Sequence, residues 1–198
     1  MKNEFKKRVF SPATLVQLTI DILKSASSIR DTLQSSRIEP AFRERLWLTV
    51  TSVNQCRYCQ WMHSDLASAN GVSKEQIGAL LGSTIQAVPE EEQLALSYAL
   101  HYAESNRQPS AIEKKRLIEK YGQALAQDIE NWMLIIFFSN LSGNTFDSFL
   151  SRLRGEPAPG GNIAFEALFA ILSAPVLLTV AAATKNSVNP LMSMAQAK

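Results

Sequence analysis

The chain has 198 residues, 46% apolar and 19% charged, with eight glycines, eight prolines and two cysteines. That composition excludes a collagen-like, low-complexity, disulfide-dense or intrinsically disordered chain and predicts one globular domain, or one domain with an appendage. Twenty basic and 18 acidic residues leave a formal net charge of +2, and the basic cluster Lys2, Lys6, Lys7, Arg8 is short and terminal, so no nucleic-acid partner is expected.

Helix punctuation runs through the sequence, and alternating runs of strand length are nearly absent, which predicts an all-α fold. Val9 to Leu23 is interrupted by Pro12, Gln17 and Asp21. It lacks the apolar core of a secretory signal, so a cytoplasmic location is expected. Ser11-Pro12 supplies a cap and a first-turn proline, and Leu15, Leu18, Ile22 and Ile29 recur at helical spacing, predicting a first helix from Pro12 towards Leu33. Ser36 to Glu39 has capping-box spacing before Pro40, and Phe42, Leu46, Trp47, Val50 and Val53 predict a second helix over 40–53. Asn54 is a candidate cap for a third helix carrying Cys56, Cys59, His63 and Leu66, ending at Asn70-Gly71. Ser73 with Gln76 opens a fourth, which stops near Gly82. Pro89 with Glu90, Glu91 and Glu92 opens a fifth, its acids at the positive end of the helix dipole. Ser110 with Glu113 opens a sixth, closed at Gly122. The longest run follows from Ala124 to Leu153, and because Trp132 to Phe138 is apolar on every side, that helix should be central.

Composition changes after Arg154. Gly155-Glu-Pro-Ala-Pro-Gly-Gly161 reads as a linker, which divides the chain into an all-α bundle domain, 1–154, and a linker with an apolar helical extension, 155–198. Ala167 to Thr184 carries no charge and reaches the lower limit of a membrane span. Pro175 at its centre, its small alanines and Glu166 just before it favour burial against the body or a partner subunit over a membrane.

The chemistry is concentrated in Cys56-Arg-Tyr-Cys59-Gln-Trp-Met-His63. On a helix, Cys56 and Cys59 are three apart and Cys59 and His63 four apart, so the three side chains share one face. Cys56 in a first turn would gain thiolate character from unpaired backbone N–H groups and the dipole. His63 can take a proton from Cys59, the general recipe for an activated nucleophile, and Glu44 on the preceding helix is a candidate to orient His63. Zinc normally takes four ligands, and only the distant His101 could join Cys56, Cys59 and His63, so no metal is expected. Two buried thiols beside a satisfied histidine would be the bland alternative.

Glu44, Cys56-Arg-Tyr-Cys59 and His63 reproduce the pattern E-x11-C-x-x-C-x3-H. In this the sequence resembles the alkylhydroperoxidase D-like branch of the carboxymuconolactone decarboxylase superfamily. The similarity extends from Ile38-Glu-Pro-Ala-Phe-Arg-Glu44 through Asn70-Gly-Val-Ser-Lys-Glu-Gln-Ile77, about forty residues, and Phe138-Ser-Asn-Leu-Ser-Gly-Asn-Thr-Phe146 fits less specifically. The resemblance implies an all-α bundle assembling as trimers or hexamers, with sites near subunit contacts. It implies a peroxidase in which Cys59 attacks the hydroperoxide and Cys56 resolves the sulfenic acid as a disulfide, while His63 and Glu44 relay the proton. It implies no cofactor beyond the cysteine pair and an external thiol or protein reductant. The well-studied peroxidases of the branch carry histidine where Tyr58 stands, whereas many other members have tyrosine. Two alternatives stay open: a decarboxylase-type enzyme, which would leave the cysteine pair unexplained, and a redox-sensing or structural protein without turnover.

Overall fold

The computed structural model describes residues 5–85 and 87–186; among them there are eight helices and no strand. The first is α1 (Pro12–Lys24), opened by Ser11, whose side chain accepts from the Thr14 amide at 3.1 Å. The single first helix expected from periodicity is in fact two. Ser25 turns the chain, with its amide bonded to the Asp21 carbonyl at 3.0 Å, and α2 (Ala26–Gln34) follows. The apolar spacing continues across that turn and conceals it. Next come α3 (Pro40–Asn54), α4 (Arg57–Ala69), α5 (Lys74–Leu81) and α6 (Glu90–Glu104). Ser36 forms no cap for α3, where Glu39 occupies the cap position with no side-chain hydrogen bond.

The long helix α7 (Ala111–Leu153) opens with a complete Ser110–Glu113 capping box. Inside it Gly122 is non-helical at φ 75°, a left-handed conformation that glycine adopts without penalty, so two helical segments meet there as the sequence predicted. Its second segment is the hub: Ile129, Met133, Ile136 and Phe137 are fully buried, and α7 packs against α1, α2, α3, α4, α6 and α8. The final helix, α8 (Ile163–Asn186), follows the glycine- and proline-rich linker and runs through Pro175 without interruption. Its Phe165 and Phe169 pack on the main core, and the side chains of the segment 180–184 lie outside the described residues. No helix among the described residues is long and apolar enough to cross a membrane.

Buried polar groups fix helix positions. Arg45 on α3 grips Glu92 on α6 through two bonds of 2.5 Å, both residues being buried. Asp128 on α7 accepts from Thr32 of α2 at 2.7 Å and from Arg37. Burial alone would raise its carboxyl pKa, but the bonds from Arg37 and Thr32 outweigh that and hold it below the ordinary value.

Candidate active site

The site is built at the corner between α3 and α4. Gln55 ends α3 in a left-handed conformation (φ 57°), and the chain re-enters a helix at once. Asn144 of α7 holds this corner by donating to the Asn54 carbonyl at 2.7 Å, and Asn140 donates to Thr51 at 3.0 Å. The helix-opening residue is Cys56 and not Asn54. Asn54 still belongs to α3, so the thiol position is the cap itself and not the first turn, and Cys56 Sγ accepts from the Cys59 amide at 3.3 Å. This strengthens the electrostatic argument, since a cap atom sits directly at the orphan amides.

Cys56 and Cys59 are joined as a disulfide, with Cα atoms 5.3 Å apart. Their surroundings differ. Cys56 is fully buried beneath Gly143 of α7, where a Cβ would come within 2.7 Å of Cys56 Sγ. Cys59 forms part of the wall of a cavity of about 480 Å3 between α3, α4, α7 and α8. Trp47, Met62, Phe138, Phe169 and Leu177 are among the residues that line it, and none of its lining residues is charged.

His63 lies one turn beyond Cys59 on α4, on the same helix face. Its Nδ1 is 2.6 Å from Glu44 Oε2, and both side chains are buried. Arg43 donates to the other Glu44 oxygen at 3.2 Å. Trp47 stacks flat on the imidazole, with ring centroids 3.7 Å apart and planes 9° apart. Glu44 and Trp47, three apart on α3, thus hold His63 by its edge and its face. That leaves His63 Nε2 buried with no hydrogen-bond partner among the described residues. A neutral imidazole that donates from Nδ1 presents a proton-accepting Nε2.

Tyr58 is buried with its hydroxyl bonded by Arg57 at 2.7 Å and 3.5 Å from Asp147 Oδ1. Burial pushes its phenol pKa above the ordinary value, and the Asp147 carboxylate adds to this, so Tyr58 is no base near neutral pH. Asp147 also pairs with Arg57 at 2.6 Å and Lys7 at 2.7 Å. The structure therefore brings Glu44, Cys56, Tyr58, Cys59 and His63 together, while His101 is remote, exposed and paired with Glu113 at 3.4 Å.

Sequence reasoning missed four contributors. Trp47 was legible only as a core residue, although its i+3 relation to Glu44 signals a shared face. Gly143, Asp147 and the α8 wall reach the site over more than eighty residues of chain, where helical periodicity carries no information.

Residues 27–104 match the family model described as Carboxymuconolactone decarboxylase family. The matched stretch runs from α2 to the end of α6 and includes Glu44, Cys56, Cys59 and His63. No curated protein and no solved structure matches the chain.

Proposed function

We propose that this chain, whose residues 27–104 match the family model described as Carboxymuconolactone decarboxylase family, is a thiol-dependent peroxidase that reduces hydroperoxides through its Cys56–Cys59 pair. The observation that carries this reading is the buried imidazole of His63, oriented by Glu44 at 2.6 Å and left with an unpaired Nε2 one turn from Cys59. A base so held is suited to deprotonating a neighbouring thiol.

In the reduced protein His63 takes the Cys59 proton. The thiolate attacks the terminal peroxide oxygen, the O–O bond breaks as an S–O bond forms, and the imidazolium returns a proton to the departing alkoxide, giving an alcohol. Cys56 sulfur then attacks the Cys59 sulfenic acid, releasing water and forming the disulfide. An external thiol, itself oxidised to a disulfide, supplies the two electrons that reopen the pair. No cofactor or metal enters the cycle. It runs in a compartment that keeps thiols reduced, in keeping with the cytoplasmic location expected from the sequence.

The assignment of Cys59 as the attacking sulfur is supported by its position on the cavity wall, whereas Cys56 is sealed. A decarboxylase acting on a carboxylate substrate would want a cation in the cavity, and none lines it. Assembly as a homo-oligomer, trimer or hexamer, belongs to the same proposal and is supported by the apolar outer row of α8, where Ile171 is 70% and Leu172 73% exposed.

The test is a single turnover. Protein reduced with dithiothreitol and desalted is mixed with an organic hydroperoxide, and thiol loss and alcohol formation are followed together. Stoichiometric alcohol with loss of two thiols is expected; no reaction overturns the proposal.

A further inference from the structure

We propose that Met62 is a second reducing group of the cavity: with the Cys56–Cys59 bond closed, its thioether takes an oxygen from the next hydroperoxide and becomes a sulfoxide. This rests on the peroxidase reading above and adds a modification site to it.

Three observations converge on this residue. Met62 lines the cavity of about 480 Å3 together with Cys59, and no other lining residue carries a thioether. Cys59, Met62 and His63 stand at i, i+3 and i+4 of α4, so one helix face presents the three side chains. Met62 is also open to approach, being 37% exposed, whereas Met133 is fully buried. Of the chain's five methionines, these two are the ones among the described residues.

Closing the pair changes which sulfur a hydroperoxide meets. Both cysteines are in the disulfide, so no free thiol remains. A thioether sulfur is soft and polarizable and, unlike a thiol, needs no deprotonation to act as a nucleophile. It attacks the terminal peroxide oxygen, the O–O bond breaks as the S–O bond forms, and the proton on that oxygen passes through water to the departing alkoxide. Sulfur loses two electrons, the hydroperoxide becomes an alcohol, and no further reductant is required. The product exchanges an apolar side chain for a polar one on a wall without charges. Methionine sulfoxide is reversed by methionine sulfoxide reductases, a different repair from the thiol exchange that reopens the pair, so the mark outlasts the thiol cycle.

The experiment uses the full chain in its disulfide form, with N-acetylmethionine in the same solution as a freely exposed thioether. Cumene hydroperoxide is added, alcohol formation is followed, and peptide mass spectrometry reports the sulfoxide at Met62 and at Met133. Met62 should be oxidised at least about tenfold faster than N-acetylmethionine, because the cavity holds the hydroperoxide beside it, while Met133 stays unmodified. Met62→Leu, which nearly conserves the volume, should lose that fast equivalent of alcohol. A Met62 rate no higher than that of N-acetylmethionine overturns the proposal, since exposure alone would then account for it, and so does a fast equivalent retained in Met62→Leu. The reduced wild-type chain is assayed in parallel. Failure to lose two thiols there means that the peroxidase reading has failed, whereas two thiols lost with no preference for Met62 means that this inference alone has.

Discussion

Cys56 and Cys59 share one bond and one apolar cluster with Tyr58, Phe146 and Ala170, yet only Cys59 lines the cavity. Cys56 is fully buried and sealed against α7 at Gly143, and it does not line the cavity. On the Cys59 side are that apolar cavity and a histidine held by Glu44 and Trp47. A pair three residues apart on one helix end can therefore be made chemically unequal, because one sulfur caps the helix and the other projects from its first turn. The sealed sulfur suits a resolving role and the lined one an attacking role.

The largest effect that would test this asymmetry is the exchange of either thiol. Cys59→Ser should abolish peroxide reduction, whereas Cys56→Ser should still consume one equivalent and stop, with Cys59 as sulfenic or overoxidised acid in the mass spectrum. Sulfenic acid on Cys56 in the Cys59→Ser variant would reverse the roles.

Next in size is the relay. Glu44→Gln keeps an oxygen near Nδ1 but removes the charge that would stabilise the imidazolium, and His63→Gln removes the base. Either should slow thiol oxidation by about 10²- to 10⁴-fold, the usual contribution of general-base assistance. The His63 variant should also melt lower because it loses the Trp47 stack, so rate and melting temperature are read together. Wild-type rates in folded variants would take His63 and Glu44 out of the mechanism.

A smaller effect is expected on the Cys56 side. Gly143→Ala brings a methyl within 2.7 Å of Cys56 Sγ and 3.3 Å of Tyr58 Cδ2. Overpacking of this kind costs about 1–3 kcal/mol, against a gain of up to about 1 kcal/mol in helix propensity. The oxidised protein should thus melt a few degrees lower, which calorimetry would show; an unchanged melting temperature would mean that the α4–α7 contact can open at no cost.

The asymmetry itself was only partly legible in the sequence. The spacing of Glu44, Cys56, Cys59 and His63 sufficed to group them, since the first lies on one helix and the others follow a short turn later. The all-α class and most helix ends followed from caps and breakers, Ser110–Glu113 and Gly122 among them. The exact capping residue did not, because Asn54 and Cys56 compete for one corner, and the left-handed Gln55 that decides it has no sequence signature comparable to glycine. The break at Ser25 was hidden by apolar spacing that stays in phase across it. Gly143, Asp147 and the α8 wall are long-range contacts, set by how α7 lies across α4, and no local pattern encodes that.

The smallest expected effect concerns Tyr58, the position where the resemblance departs from the well-studied peroxidases. If the phenol took part in proton transfer it would have to ionise, yet burial and then Asp147 both push its pKa above the ordinary value of 10.0. A raised acid stays protonated through neutral pH and beyond its usual titration range, so it can neither accept the Cys59 proton nor respond to pH where the enzyme would work. Tyr58→Phe should accordingly leave the single-turnover rate within about twofold and its pH profile superimposable on the wild type up to pH 10. Its cost should fall on stability instead: the hydroxyl's bond from Arg57 is lost, at about 1 kcal/mol for a typical side-chain hydrogen bond, which would appear as a drop of about 2–4 °C in the melting temperature. A profile that changes shape near neutral pH in this variant would move Tyr58 from the packing of the Cys56 side into the proton path on the Cys59 side, and the division between the two sulfurs would have to be redrawn.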